Sequence, residues 1–234
     1  MKQYPIYPLK FIQTDEKAVA LRLYRRAKDG RQMVVFTPNL SIFGQLRRNN
    51  ELVKLINRAD ILLPDGIGLC LAYKIRSGKS IRRVTGIDTA YELLRVAERK
   101  GLSVFLLGAE RGVAEEAKRR LCFALPRLCV CGTHHGYFDK SESSWENKAL
   151  IRKINQCSPD ILLVCFGFPA QEKWIMQNKS ALPHVKILMG LGGSLDVWAG
   201  KVKRAPAVFR KCGLEWLWRC ALQPKRFLRL FSAF

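Results

Sequence analysis

The sequence is poor in acidic residues and in histidine. Among its 234 residues, 41 lysines and arginines stand against 19 aspartates and glutamates, with three histidines, so the formal net charge is +22. An excess of this size favours polyanionic partners such as nucleic acid, anionic lipid or phosphorylated substrates. The charge alone does not distinguish among these three classes.

Long apolar runs are also missing. No segment reaches the roughly 18 apolar residues that a membrane span needs. Pro5 and Pro8 interrupt the N-terminal stretch, where a signal peptide would need an unbroken apolar core. We therefore expect a cytoplasmic protein whose membrane contact is peripheral, at the inner face of the cell membrane.

Three common site motifs are absent. The chain has no D-x-D, which holds a metal ion in many nucleotide-sugar enzymes, no complete G-x-G-x-x-G dinucleotide fingerprint, and no C-x-x-C pair. Its eight cysteines lie mostly in apolar runs, which is typical of small core residues in a reduced protein. Cys129, Cys131, His134 and His135 are candidate zinc ligands, but their C-x-C spacing disfavours that site. We expect neither a metal nor a cofactor.

Short apolar runs rich in β-branched residues alternate with longer amphipathic stretches between about residues 30 and 195. This alternation predicts an α/β fold with a Rossmann-like core, a mostly parallel sheet and helices on both faces. The runs are almost continuously hydrophobic, as expected of strands buried on both faces. The predicted strands are Met33–Thr37, Ile61–Pro64, Ser103–Leu107, Leu128–Cys131, Ile161–Phe166 and Val185–Met189.

Three further local signals concern helix starts and a loop. Asp88 stands immediately before one helix-compatible stretch, and Pro169 shortly before another. The segment 132–144 contains paired histidines, a glycine and serines, and predicts a longer loop.

The composition changes near residue 200. Residues 200–234 contain nine lysines and arginines but a single acid, Glu215, and aromatic residues are interleaved among the charges. This pattern predicts basic amphipathic helices, interrupted at Gly213 and Pro224, which suit the surface of an anionic bilayer. We therefore expect a core over residues 1–199. Residues 200–234 are predicted to form a helical appendage that contacts the membrane and completes the site.

The residues that follow the predicted strands should meet at one edge of the sheet, because open α/β sheets bind ligands outside the carboxyl ends of their strands. Glycines there allow close backbone approach, and the helix N-termini that follow present amides to phosphate. Each loop alone has a structural explanation, since Pro64-Asp65-Gly66 is also a good turn. Their convergence favours a binding site. The candidates at this edge are Thr37, Asn39, Asp65, Asp88, Gly108, Gly167, Pro169, Gln171, Glu172, Gly193 and Asp196.

Asp65 is the candidate general base, since a carboxylate at a strand end can take a proton from an attacking hydroxyl. A glycosidase would normally need a second carboxylate flanking the bond. Acids do lie on the same edge, but the basic balance favours a phosphate-bearing donor. A leaving diphosphate develops negative charge, and without a D-x-D we expect arginines to neutralise it. The candidate arginines are Arg83, Arg204, Arg219, Arg226 and Arg229, and lipid contact explains those of the tail equally well.

Several motifs occur in a specific order along the chain. They begin with Asp60-Ile-Leu-Leu-Pro-Asp-Gly-Ile-Gly, Arg83-Val-Thr-Gly-Ile-Asp and Gly167-Phe-Pro-Ala-Gln-Glu. The paired glycines 192–193 with Asp196, Lys203-Arg-Ala-Pro and Leu214-Glu-Trp follow. Together these motifs resemble the WecG/TagA/CpsF glycosyltransferases from about residue 34 to residue 229.

The resemblance implies a Rossmann-like core, an inverting metal-free reaction, and a C-terminal appendage that closes over the site and attaches the enzyme to the membrane. It places the catalytic base on Asp65, sugar-proximal residues on Thr37 and Asn39, and the G-x-P-x-Q-E motif on Gly167 to Glu172. It places the appendage arginines on Arg219, Arg226 and Arg229.

The reaction implied by the resemblance moves N-acetylmannosamine, or its uronic acid, from a UDP donor to N-acetylglucosaminyl-diphospho-undecaprenol. It serves the synthesis of wall teichoic acid or enterobacterial common antigen. Capsule-type relatives with other donors keep the same motifs. A nucleic-acid-binding protein would fit the charge and the interleaved aromatics but leaves the loops unexplained, so we expect no nucleic-acid partner. A dinucleotide enzyme of the same fold is disfavoured by the missing fingerprint. The sequence leaves homo-oligomerisation open.

Overall fold

The structure, a computed structural model, describes residues 3–6, 9–46, 48–211, 213, 215, 217 and 218. Within these residues a two-stranded antiparallel hairpin precedes a six-stranded parallel sheet, in the order β4-β3-β8-β7-β5-β6. The strands are β1 (Gln3–Ile6), β2 (Leu9–Ile12), β3 (Met33–Phe36), β4 (Ile61–Leu62), β5 (Ser103–Gly108), β6 (Cys129–His134), β7 (Ile161–Cys165) and β8 (Ile187–Gly190). The helices are α1 (Glu16–Lys28), α2 (Leu40–Leu46), α3 (Asn50–Asn57), α4 (Ile67–Ser77), α5 (Gly86–Lys100), α6 (Val113–Ala124), α7 (Trp145–Cys157), α8 (Ala170–Asn178), α9 (Ser194–Trp198) and α10 (Ala207–Lys211).

The parallel sheet is buried on both faces, which confirms the predicted α/β fold. Successive residues of a strand point to opposite faces, so on β3 Val35 joins one apolar cluster while Val34 and Phe36 join the other. Helices α1, α5, α6 and α9 contribute to the first cluster, and α2, α3, α4, α7 and α8 to the second. Burial on two sides explains why each strand is an unbroken apolar run.

The N-terminal hairpin and α1 are absent from the sequence-based prediction, which begins near residue 30. Leu9 and Phe11 of β2 are buried in the second cluster, so this short strand extends the core next to β4. Helix α1 packs against α5 on the other face. Its start is capped by Asp15, whose Oδ1 accepts a hydrogen bond of 2.8 Å from the amide of Ala18.

The predicted loop over residues 132–144 is wrong at its beginning, because β6 continues to His134 and its residues 132–134 pair with β5 after a register shift. Gly132 lies opposite Phe105. A Cβ on Gly132 would lie 2.4 Å from the Phe105 ring, so the glycine that suggests a loop instead makes room for an aromatic side chain.

Among the described residues, no three or more histidine, cysteine or acidic side chains are grouped to hold a metal ion.

The strand order creates a topological switch point between β5 and β7. The chain leaves β5 toward β6 on one side and leaves β7 toward β8 on the other. A crevice at the carboxyl ends of two such strands is the usual ligand site of an open α/β sheet.

None of the helices in the described part of the chain combines the length and hydrophobicity that crossing a bilayer requires.

Candidate active site

Asp65 lies directly beyond β4, held by its backbone and its side chain. Its amide donates a hydrogen bond to the carbonyl of Pro38, beyond β3, at 3.1 Å. Its carboxylate Oδ2 accepts one from the amide of Gly86, the first residue of α5, at 3.3 Å. The amides at a helix N-terminus are the positive end of the helix dipole and favour a carboxylate there. Asp65 is thus a half-buried carboxylate in a defined orientation.

Thr37 connects this helix start to the centre of the sheet. Its hydroxyl donates a hydrogen bond of 3.4 Å to the carbonyl of Gly190, at the end of β8. A Cβ on Gly86 would lie 2.9 Å from Thr37 Oγ1, so a glycine allows α5 to approach this closely. Asn39 is exposed, and its Oδ1 accepts a hydrogen bond of 3.1 Å from the amide of Ile42 in α2.

Gln171 ties together the loops that follow β7 and β8. Its Oε1 accepts hydrogen bonds from the amides of Gly167 at 3.3 Å and Gly192 at 2.8 Å. Its Nε2 donates to Oε1 of Glu172 at 2.9 Å. Helix α8 begins just before it, after a cis peptide bond between Phe168 and Pro169. One side chain thus fixes two glycine loops at the carboxyl edge.

Glu172 is a buried carboxyl group with little to stabilise a charge. It is 2% exposed, and its Oε2 has no hydrogen-bond partner among the described residues. Burial raises the pKa of Glu172 to about 7, although the hydrogen bond from Gln171 acts in the opposite direction. Glu172 therefore orients Gln171 through this hydrogen bond and has almost no contact with solvent.

The loop after β5 is shaped by a close approach to β7. Gly108 has φ of +136°, and a Cβ there would lie 2.4 Å from the carbonyl oxygen of Cys165. The next residue, Ala109, adopts a positive φ of 59° and donates its amide to the same carbonyl. Across the sheet, Gly193 immediately precedes α9, and Asp196 lies in the first turn of that helix. Glycines at the switch point therefore leave backbone surface open to a ligand.

A further group of polar side chains surrounds Arg204, beyond the end of α9. Arg204 Nη2 lies 2.6 Å from Asp88 Oδ2, and Arg204 Nε lies 3.7 Å from Glu215 Oε1. The hydroxyl of Thr85 also donates to Asp88. Burial alone would raise the pKa of Asp88, but the hydrogen bonds from Arg204 and Thr85 outweigh it and lower the pKa.

Arg204 lies near Asp65, and Arg83 precedes Val84, whose amide donates a hydrogen bond of 3.1 Å to the carbonyl of Pro64. Burial alone would lower the pKa of Arg204, but the negative charges of Asp88, Glu215 and Asp65 outweigh it and raise the pKa. Arg83 donates a hydrogen bond of 2.7 Å from Nη2 to the carbonyl of Arg210 in α10. These contacts anchor the residues that follow α9 beside the candidate base. A cavity of about 590 Å³ opens next to Arg83 and Asp88.

Comparison with known proteins decides the family. The family model of the glycosyl transferase WecG/TagA/CpsF family matches residues 4–233. The chain belongs to this family. A relative from Staphylococcus aureus strain MRSA252 is 36% identical over 200 residues, which cover 86% of this chain and 76% of the relative. A relative from strain NCTC 8325 / PS 47 is 35% identical over 200 residues, which again cover 86% of this chain and 76% of the relative. Both bear the name N-acetylglucosaminyldiphosphoundecaprenol N-acetyl-beta-D-mannosaminyltransferase.

For this WecG/TagA/CpsF protein, the structure brings most of the predicted site residues to one edge. A chain of contacts runs from Asp65 through Gly86 and Thr37 to the end of β8, and from there through Gln171 to the loop after β7. The catalytic and binding roles assigned from sequence remain predictions. Arg219, Arg226 and Arg229, and the predicted helix break at Pro224, lie outside the described residues.

Two features of the site escape the sequence-based prediction. Helix α5 starts at Gly86 with Thr85 as its N-cap, so Asp88 belongs to the first turn and does not precede the helix. The spacing from Thr85 to Asp88 is a capping-box signature that could have revealed this start. Glu16 of α1 also reaches the site, accepting a hydrogen bond of 3.4 Å from the amide of Thr85. No local signal marks that contact, since it joins residues 69 positions apart.

Proposed function

We propose that this protein is an inverting, metal-independent transferase that moves N-acetylmannosamine, or its uronic acid, from a UDP donor to polyprenyl-diphosphate-linked N-acetylglucosamine. The observation that carries the proposal is the oriented carboxylate of Asp65 at the carboxyl edge of the sheet, with the guanidinium of Arg204 near enough to be affected by its charge. The names of the S. aureus relatives supply the sugar and the acceptor. The nucleic-acid-binding alternative gains no support from them.

The proposed reaction is a single displacement. The acceptor hydroxyl oxygen forms a bond to the anomeric carbon of the donor sugar while the bond from that carbon to the diphosphate oxygen breaks. Asp65 takes the hydroxyl proton, and UDP leaves with the electron pair, so the configuration inverts. Glu172 is unsuited to this role, because it is buried and accepts a hydrogen bond from Gln171.

The departing UDP needs its developing charge neutralised. Arg204 is a fixed cation near Asp65, Arg83 is fixed by the carbonyl of Arg210, and the amides at the start of α5 add positive potential. Each arginine already contacts a protein group, which holds its guanidinium in place before substrate arrives. We propose that Arg219, Arg226 and Arg229 of the appendage complete this positive surround over the diphosphate.

We further propose that the enzyme works at the inner face of the cell membrane, where its acceptor is held by a lipid. Residues 200–234 would form an appendage that combines basic and aromatic residues, as peripheral membrane segments do. Residues 1–199 would form the catalytic core. The contacts of Arg204 and Arg210 with the core support a role of the appendage in completing the site.

The experiment that tests this function measures UDP release from a panel of UDP-sugars with a short-chain N-acetylglucosaminyl-diphospholipid, in EDTA. The panel includes UDP-N-acetylmannosamine and its uronic acid. We expect release that depends on the acceptor, persists in EDTA and identifies the donor. Release restored only by added divalent cations would contradict the metal-free mechanism. No release from any donor, with the full chain and vesicles present, would contradict the proposed reaction.

A further inference from the structure

Helix α4 begins two residues after Asp65 and carries apolar side chains on two sides. Leu69, Cys70 and Tyr73 are buried in the second core cluster. On the opposite side, Leu71 is 50% exposed and Ile75 is 81% exposed. Residues four positions apart lie above one another on a helix surface, so these two side chains form a stripe. The core does not need this stripe, since the buried face already packs.

The chain that follows α9 contacts the start of α4. Gly213 packs against the start of α4, because a Cβ there would lie 2.7 Å from the Cβ of Ile67. Near Gly213 in the sequence, Val208 and Leu217 are large exposed apolar side chains. Together with Leu71 and Ile75 they make up four of the eight such side chains among the described residues. We call Leu71 and Ile75 the α4 face.

The surroundings of the α4 face are basic. Residues 66–83 contain five lysines and arginines and no acidic residue. Lys74 lies beside the stripe on α4 and is exposed, as are Lys79 and Arg82 in the segment that follows. An apolar stripe flanked by cations matches an anionic lipid surface, in which Leu and Ile enter the interface while Lys and Arg meet the headgroups. An uncharged or basic partner would not match this charge.

We propose that the α4 face is a membrane-contact surface of the core, which lays the start of α4 against the anionic leaflet that carries the acceptor. Leu71 lies four residues after Ile67, where α4 begins, or roughly 6 Å along the helix, and Asp65 lies two residues before that start. Contact at the stripe therefore brings Asp65 close to the headgroup layer, where a lipid-linked sugar is presented. The acceptor part of this inference rests on the proposed function, whereas the contact with lipid does not.

The test uses the full chain and compares two double variants. Leu71→Ser with Ile75→Ser removes the stripe. Phe123→Ser with Trp145→Ser is the matched control, since these side chains are 90% and 75% exposed on α6 and α7. Sedimentation with vesicles of phosphatidylglycerol and phosphatidylcholine measures binding. We expect the stripe variant to bind about 30- to 1,000-fold more weakly, since lipid would cover a half-exposed leucine and a largely exposed isoleucine, and the control to bind like the wild type.

Activity on two acceptors separates this inference from the proposed function. The stripe variant should match the wild type on a water-soluble short-chain acceptor and lose activity only on acceptor embedded in vesicles. Unchanged vesicle binding, or an equal loss in the control, would overturn the inference. So would a wild type that self-associates without vesicles through a contact that the stripe variant loses, since the occupant would then be a second copy. A wild type inactive on the soluble acceptor would contradict the function alone, and vesicle binding would still decide the inference.

Discussion

Replacement of Glu172 by glutamine should make the protein's stability less sensitive to pH. Burial raises the pKa of Glu172 from 4.5 to about 7 in the folded protein. Between these pH values the folded state binds more protons than the unfolded state, so the free energy of unfolding falls as the pH rises toward 7 and is constant above it. At about 1.4 kcal/mol per pKa unit, the wild type loses roughly 3 kcal/mol over this window.

Glu172→Gln removes the titrating group but keeps an oxygen that can accept the hydrogen bond from Gln171. The free energy of unfolding of the variant minus that of the wild type should increase by about 2 to 3 kcal/mol from pH 5 to pH 8. Urea unfolding followed by tryptophan fluorescence measures this difference. Glu142→Gln is the matched control, because it makes the same chemical change at an exposed position. A stability difference that is the same at both pH values would refute the reasoning.

Three further variants test individual contacts by urea unfolding. Asp88→Asn should lower the free energy of unfolding by about 1 kcal/mol at pH 7, since the pair with Arg204 is partly exposed. This loss should shrink as the pH falls below 3.8, where the carboxylate is protonated in the unfolded state. A loss that grows in acid would contradict the pairing. Gln171→Ala should cost about 2 to 4 kcal/mol by leaving two loop amides without a partner, and a neutral effect would show that the loops do not depend on it. Gly108→Ala should lower the free energy of unfolding by more than the roughly 1 to 2 kcal/mol expected for Gly30→Ala. Both glycines have a positive φ, but of the two only Gly30 has space for a methyl group. Equal losses would mean that β7 moves to accommodate the methyl group at residue 108.

The parallel strands could be located from sequence because burial on both faces demands unbroken apolar runs. Ile161–Cys165 and Ser103–Gly108 lie within one residue of their predicted bounds. The hairpin could not be found this way, since Leu9–Ile12 offers only a four-residue strand with a lysine within it. The extension of β6 was missed because Gly132 resembles a loop residue until its position opposite Phe105 is known.

The candidate site was predictable as a set of strand ends but not as a set of contacts. Parallel strands bring their carboxyl ends to one edge, so Asp65, Thr37 and Gly167 could be grouped before their geometry was known. The pair between Arg204 and Asp88 spans 116 positions, and no local pattern predicts it. The tie from Gln171 to two glycine amides likewise depends on how closely β7 and β8 pack.

The most direct test of the central claim is the effect of Asp65→Asn on turnover and on UDP binding, measured separately. Asparagine has a similar shape but cannot accept the proton from the acceptor hydroxyl. With the donor identified by the UDP-release panel, turnover should fall about 100- to 10,000-fold, while calorimetry should give unchanged UDP affinity. Asp29→Asn, at the exposed end of α1, should leave both unchanged. Wild-type turnover in Asp65→Asn would remove Asp65 from its role as base and contradict the proposed mechanism.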